Sequence, residues 1–161
     1  MESPAQTLPE ALARMTCSPE PEPMGLVGWP GEDLGADEFQ ALFAQEGPLQ
    51  VVREGGEVTV LAPWQQAQAL LQARPSAQIA GPLTWIRFET PMAWELVGFL
   101  AHITGALAAA GISIGAVCGF SRDHLFVPQE LSSEALRILA DMGIRAVPLN
   151  ASHGDGSACC D

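Results

Sequence analysis

The sequence predicts an α+β protein made of two tandem βαββαβ units, each an antiparallel sheet with helices on one face. Three observations lead to this prediction. Hydrophobic residues change between helical spacing and strict alternation several times along residues 83–149. The order strand, proline, amphipathic helix occurs twice, with Val60–Pro63 aligned on Leu125–Pro128. The chain has 161 residues, which is enough for two small domains.

The second half of the chain shows the pattern more clearly. The predicted strands cover residues 83–89, 113–120, 124–127 and 144–149, and the predicted helices cover 95–110 and 132–142. Apolar residues at helical spacing from Leu96 to Ala110 indicate the first of these helices, and Gly111 ends it. Alternation from Ile112 to Phe120 then indicates a strand. This order is the ferredoxin-like plan.

The first half is a weaker copy of the same plan. Strands are predicted over 25–29, 49–53 and 58–61, and helices over 36–45 and 63–73. The pair Gly55-Gly56 between the last two strands predicts a hairpin. We expect a mostly disordered acidic leader over 1–23, in which Leu8–Met15 can form a transient turn of helix. A first domain is expected over 24–81, a second over 82–150 and a flexible cysteine-containing tail over 151–161, with Ser76–Pro82 as the linker between the domains.

Charge and composition exclude some classes of function. The formal net charge is −12, and all 7 basic residues are arginines. Such a surface repels phosphate groups, so we expect neither a nucleic-acid partner nor a membrane partner. The uncharged run Leu96–Ser121 is long enough to cross a bilayer. Its spacing changes from helical to alternating within the run, which favours a helix followed by a strand over a membrane span.

The cysteines indicate a reducing environment. The chain contains Cys17, Cys118, Cys159 and Cys160, whose spacing fits neither a disulfide framework nor a zinc site. The start of the chain lacks a signal-peptide pattern, so a cytoplasmic location is expected. Cys118 lies in an apolar run and is predicted to be a buried core thiol. The tail groups His153 and Asp155 with the two adjacent cysteines, which leaves a metal site as the alternative to a flexible tail, but we expect neither a metal nor a cofactor.

A family resemblance is carried by the predicted helix and the two strands that follow it. A glycine at the helix start, a leucine two residues later and a Leu-x-x-x-Gly-Ile-Ser ending form the pattern Gly98, Leu100, Leu107, Gly111, Ile112 and Ser113. This segment resembles the beginning of an ACT domain. The following segment Ala116–Pro128, AVCGFSRDHLFVP, is similar to the (Y/F)xxDHxFVP segment of small tandem-ACT proteins. Those include bacterial members and the arginine-sensing CASTOR-type proteins.

The resemblance implies an amino-acid site, which in ACT proteins typically lies at an interface between two domains. A glycine at a helix start lets the backbone approach a ligand, and free N–H groups there attract a carboxylate. The residues implicated are Val97, Gly98, Phe99, Leu100, Ile112, Ser113, Ile114, Asp123 and His124. Ordinary ACT domains carry an arginine and a proline in the turn before this helix, whereas Met92–Gly98 has neither.

Each polar or turn residue in this set also has a purely structural interpretation. Gly98 can serve as a close-packing turn glycine, Asp123 can stabilise its own turn, and His124 can be a structural side chain at a strand edge. Trp85 and Trp94 are predicted to be core or interface aromatics.

Two classes of function remain open. The first is a regulatory module that binds an amino acid, forms a homodimer and acts on a regulated protein partner. The second is a protein-interaction scaffold on the same fold with no ligand. An enzyme acting on an amino-acid-like substrate is a third alternative. The sequence disfavours it because no nucleophile motif, phosphate loop or zinc spacing is present, so no catalytic residue is assigned.

Overall fold

The computed structural model of the protein describes residues 7–31, 34–44 and 49–148. The order of helices and strands along these residues is that of two βαββαβ units that share one strand, with an additional helix and strand in front. In chain order the elements are α1 (Leu8–Arg14), β1 (Thr16–Pro19), β2 (Met24–Pro30), α2 (Ala36–Phe43), β3 (Gln50–Glu54), β4 (Glu57–Pro63), α3 (Trp64–Ala73), β5 (Gln78–Phe88), α4 (Phe99–Ala109), β6 (Gly115–Cys118), β7 (Asp123–Pro128), α5 (Ser132–Asp141) and β8 (Arg145–Ala146).

The strand β5 joins the two units into one sheet. Its first half pairs with β2, and β4 and β3 follow beyond β2. Its second half pairs with β7 on one side and with β1 on the other, and β6 and β8 lie beyond these two strands. β5 is therefore the last strand of the first unit and the first strand of the second. The predicted tandem ferredoxin-like fold is confirmed.

A register shift between β2 and β5 places the helices of both units on the same face of the sheet. Leu26 pairs with Ala80 and Met24 pairs with Leu83, so three steps along β5 match two steps along β2. The extra residue reverses the alternation of side chains along β5. Ile79 therefore packs in the core under α2 and α3, and Ile86 packs in the core under α1, α4 and α5.

The prediction of a disordered leader is wrong for residues 7–23. α1 packs against α4, and β1 is inserted between β5 and β8. Met15 is 1% exposed and Cys17 is fully buried, both in the core of the second unit. The Pro/Glu-rich stretch that suggested disorder begins only at the end of β1. The rest of the predicted leader, residues 1–6, and the predicted tail lie outside the described residues.

Several predicted element ends also need correction. Most of the predicted linker Ser76–Pro82 is strand, because β5 begins at Gln78, and the expected boundary at 81/82 falls inside that strand. α4 begins at Phe99 instead of residue 95. The last strand is reduced to Arg145–Ala146.

The long uncharged run is divided as the change of period predicted. Its first part forms α4 and its second part forms β6. Within the described ranges, no helix is both long enough and apolar enough to cross a membrane.

Substitutions at two glycines of β2 test which face of the sheet the helices cover. An added Cβ at Gly25 would lie 2.5 Å from the Cβ of Ala67 in α3, whereas at Gly28 the nearest atom would be 3.7 Å away. We expect Gly25→Ala to destabilise the protein by about 1–3 kcal/mol through overpacking. Gly28→Ala should be neutral or stabilising by up to about 1 kcal/mol. Denaturant unfolding of the two variants measures both effects, and equal free energies of unfolding would contradict the assignment of faces.

The core position of α1 and β1 gives a second prediction. Met15→Ala removes a buried side chain and should lower the free energy of unfolding by about 2–5 kcal/mol. The neighbouring change Arg14→Ala, at an exposed position of α1, should alter it by no more than about 0.5 kcal/mol. If thermal and urea unfolding show no difference between these variants, the leader does not belong to the folded core.

Candidate functional site

A pocket lies where the loop from β5 into α4 meets the loop between β6 and β7. It is lined by residues from the segments 92–101 and 118–123 and has a volume of about 270 Å³. The Met92 N–H donates a hydrogen bond of 2.9 Å to the Ser121 carbonyl oxygen and ties the two loops together. We call this cavity the α4 pocket.

The first turn of α4 forms one wall of the α4 pocket. Gly98 precedes the helix with φ at +92°, a backbone conformation that side chains disfavour, and this explains why the helix starts no earlier than Phe99. No side chain caps this helix start. The N–H groups of Phe99, Leu100 and Ala101 have no acceptor inside the helix, because only later N–H groups reach a carbonyl four residues back. The pocket wall is thus electropositive.

Charged groups lie on the opposite wall, at the end of the loop between β6 and β7 and at the first residue of β7. The Arg122 Nε–H donates to the Glu89 carbonyl oxygen at 3.0 Å, which fixes the plane of the guanidinium group. Asp123 lies next to Arg122 and also lines the pocket. The α4 pocket therefore holds a cationic group and an anionic group on adjacent residues.

Cys118 is an exposed thiol at this wall, so the prediction of a buried core cysteine is wrong. It stands directly opposite Asp123 across the β6–β7 pair. Partial burial raises the pKa of the Cys118 thiol, and the hydrogen bond to the Asp123 carboxylate raises it further. The thiol therefore stays protonated at neutral pH.

The structure brings together only some of the nine residues expected at a ligand site. Gly98, Phe99, Leu100 and Asp123 line the α4 pocket. Val97 is 85% exposed, between lining residues in the loop before the helix. The remaining residues, Ile112, Ser113, Ile114 and His124, do not line this pocket.

The displaced residues have identifiable surroundings. Ile112 is buried in the core beneath α4, and Ile114 packs against the same core. Ser113 is exposed between them. Adjacent strand residues face opposite sides, which is why His124 lies away from the pocket that Asp123 lines.

His124 instead joins an aromatic cluster on the open face of the sheet. The Trp85 indole N–H donates to Nδ1 of His124 at 3.2 Å, and the Trp85 ring stacks on Phe126 with centroids 6.4 Å apart. Burial lowers the pKa of His124, and the guanidinium group of Arg87 lowers it further. The imidazole is therefore neutral and accepts a hydrogen bond at Nδ1. Trp85 is half-buried as expected for a core or interface aromatic, whereas Trp94 is 78% exposed.

Sequence reasoning missed several lining residues, chiefly Arg122, Trp94 and Phe120. Arg122 had a signal, because it precedes the already selected Asp123 in the same turn. Trp94 and Phe120 had no such signal, since the sequence pattern does not distinguish an exposed aromatic residue in a loop from an aromatic residue in the core. Within the described ranges, no group of three or more His, Cys, Asp or Glu side chains is arranged to hold a metal ion.

The neutral His124 gives a prediction about pH. Its pKa in the folded state lies below the value of about 6.5 for an unfolded chain. The unfolded state therefore takes up a proton first as pH falls, and the stability contributed above pH 6.5 is lost toward and through the lower folded pKa. We expect the free energy of unfolding to fall more steeply between pH 7.5 and 5.5 in the natural protein than in His124→Gln. Parallel urea titrations measure this, and identical slopes would contradict the neutral assignment.

Several known proteins are similar to this chain in sequence or in fold. Residues 78–141 match the ACT domain family. No curated protein matches the chain. The structure of protein Atu0741 from Agobacterium tumefaciens superposes with a TM-score of 0.67 at 18% identity, over 88% of this chain and 98% of that one.

Two further structures show the same likeness. A protein of unknown function from Vibrio cholerae, VC0802, superposes with a TM-score of 0.61 at 24% identity, over 81% of this chain and 91% of that one. The regulatory subunit of aspartate kinase from Thermus flavus superposes with a TM-score of 0.56 at 18% identity, over 80% of this chain and 97% of that one. At these identities the likeness establishes the fold, and the narrower resemblance to CASTOR-type proteins stays a prediction. Residues 78–141 of this chain are thus similar to the ACT domain family.

Proposed function

We propose that this protein is a non-catalytic regulatory module that binds a free amino acid in the α4 pocket. The observation that carries the proposal is the pairing of opposite charges at one small cavity. Arg122 and the uncapped start of α4 supply positive potential, and Asp123 supplies a carboxylate within the same lining. A zwitterion carries the complementary pair of groups.

The proposed arrangement assigns each group of the ligand a partner. The ligand carboxylate lies between the first-turn N–H groups of α4 and the Arg122 guanidinium, since both favour an anion. The ligand ammonium lies against Asp123. Arg122 then takes the place of the arginine that ordinary ACT domains carry in the turn before the helix and that Met92–Gly98 lacks.

Regulation is supported by the domain type and by the neighbours in fold. The Thermus flavus neighbour is a regulatory subunit of aspartate kinase, and ACT domains are generally regulatory. A ligand changes the activity of a partner only through differential affinity for two states. We propose that a homodimer supplies those states and that a partner protein responds to them.

A second candidate function is favoured by the exposed apolar groups in the two loops that form the pocket. Trp94, Val97 and Phe120 are 78%, 85% and 91% exposed. Exposed apolar side chains that form a contiguous patch mark protein-interaction surfaces. The second candidate is therefore a scaffold that binds a protein through this surface and needs no ligand.

Thermal unfolding of the full chain with each of the 20 common amino acids separates the two candidates. A ligand at about 100 times its dissociation constant stabilises the folded state by about 2.7 kcal/mol, a shift of several degrees in Tm. The shift should be lost in Arg122→Met, which keeps an unbranched apolar side chain without the charge. Cooperative unfolding without a shift from any amino acid would contradict the proposal and favour the scaffold.

Two glycine variants show whether the start of α4 takes part. Gly98→Ala should cost about 1–2 kcal/mol because of its positive φ, and it should also weaken the ligand shift. The matched control is Gly105→Ala in the middle of the same helix, where an added Cβ meets nothing within 4 Å. That variant should gain up to about 1 kcal/mol and keep the full ligand shift. Equal ligand shifts in both variants would exclude the helix start from the site.

A further inference from the structure

We infer that the α4 pocket selects an amino acid with an uncharged, apolar side chain of about the size of leucine, methionine or norleucine. This inference rests on the proposed function and adds the chemical class of the ligand. Three properties of the pocket carry it, namely the number of its charges, the nature of its remaining lining and its volume.

The two charges of the lining match the carboxylate and the ammonium group that every free amino acid carries. Arg122 and Asp123 are the two charged residues among the described residues that line the pocket. They match one carboxylate and one ammonium. A third charge on the ligand would find no oppositely charged partner left in this lining, and burying that charge against the apolar lining would cost free energy. Cys118 supplies no further charge, because its thiol is protonated and engaged with Asp123.

The rest of the lining is mostly apolar and includes a flexible side chain. Met92 and Leu96 lie in the loop between β5 and α4, line the pocket and are half-buried. Trp94 and Phe120 come from the two facing loops and are 78% and 91% exposed. An apolar ligand side chain would remove part of these surfaces from water, and Met92 can adapt to its shape.

The size of the cavity limits the ligand. Its volume of about 270 Å³ lies just below the range of about 300–1,000 Å³ typical of pockets for drug-sized ligands. A cavity of this volume suits a single amino acid better than a nucleotide or a long peptide.

Isothermal titration of the full chain with shape-matched amino acids tests the selectivity. Norleucine and lysine share an unbranched four-carbon side chain, and lysine adds the terminal ammonium. Leucine and asparagine are similar in shape, and only asparagine is polar. We expect norleucine to bind at least tenfold more tightly than lysine, and leucine at least tenfold more tightly than asparagine.

Two aromatic variants show whether the selectivity comes from this pocket. Trp94→Ala should weaken norleucine binding about tenfold or more, the size expected when apolar contacts are removed from a pocket. The matched control is Phe43→Ala on α2, which removes an aromatic side chain that is 64% exposed and lies outside the pocket. That variant should bind norleucine like the natural protein. Both positions are exposed, so thermal unfolding should show folded protein in each case.

The outcomes separate the two proposals. Tighter binding of lysine, arginine or aspartate than of norleucine would overturn the apolar selectivity and leave the amino-acid module standing. Norleucine binding that is no weaker in Trp94→Ala than in Phe43→Ala would overturn the location. The absence of binding by any amino acid would overturn both proposals.

Discussion

The pairing of β5 with β2, β1 and β7 is the constraint on which the rest of the structure depends. One strand closes the first unit and opens the second, so the two units share a continuous sheet. The extra residue between Ala80 and Leu83 keeps this arrangement compatible with one covered face. Without it, Ile79 and Ile86 would face opposite sides, and the two helix layers would cover opposite faces of the sheet.

The residues that follow the end of β5 determine the geometry of the candidate site. β5 leads into Glu89, whose carbonyl oxygen holds Arg122, and then into Met92, whose N–H holds the facing loop at Ser121. The additional helix also reaches the site, because a Cβ at Gly98 would lie 3.6 Å from Leu8 of α1. The segment at the start of the chain is therefore part of the support of the α4 pocket, and its insertion beside β5 couples the pocket to the core.

Local signals predicted much of this fold, and long-range pairing explains what they missed. The Gly55-Gly56 turn and the change of period after Gly111 depend on neighbouring residues, and sequence reasoning located both. The position of β1 depends on Cys17 pairing with Phe88, 71 residues later, which no local pattern reveals. Cys118 was assigned to the core because its neighbours are apolar, yet β6 lies at the margin of the sheet, where apolar residues stay exposed. At the site, Gly98 and Asp123 could be predicted from motifs. The hydrogen bond from Arg122 to the Glu89 carbonyl oxygen could not, because it joins positions 33 residues apart.

We propose above that the start of α4 binds the carboxylate of a small zwitterion. Amide hydrogen exchange of the full chain, followed by NMR with and without norleucine, tests it at the atoms concerned. We expect slower exchange at Phe99, Leu100 and Ala101 when norleucine is present. We expect no change at Ser132, Ser133 and Glu134, the corresponding turn of α5. Equal slowing in both helices, or slowing confined to the open face around Trp85 and Phe126, would contradict it.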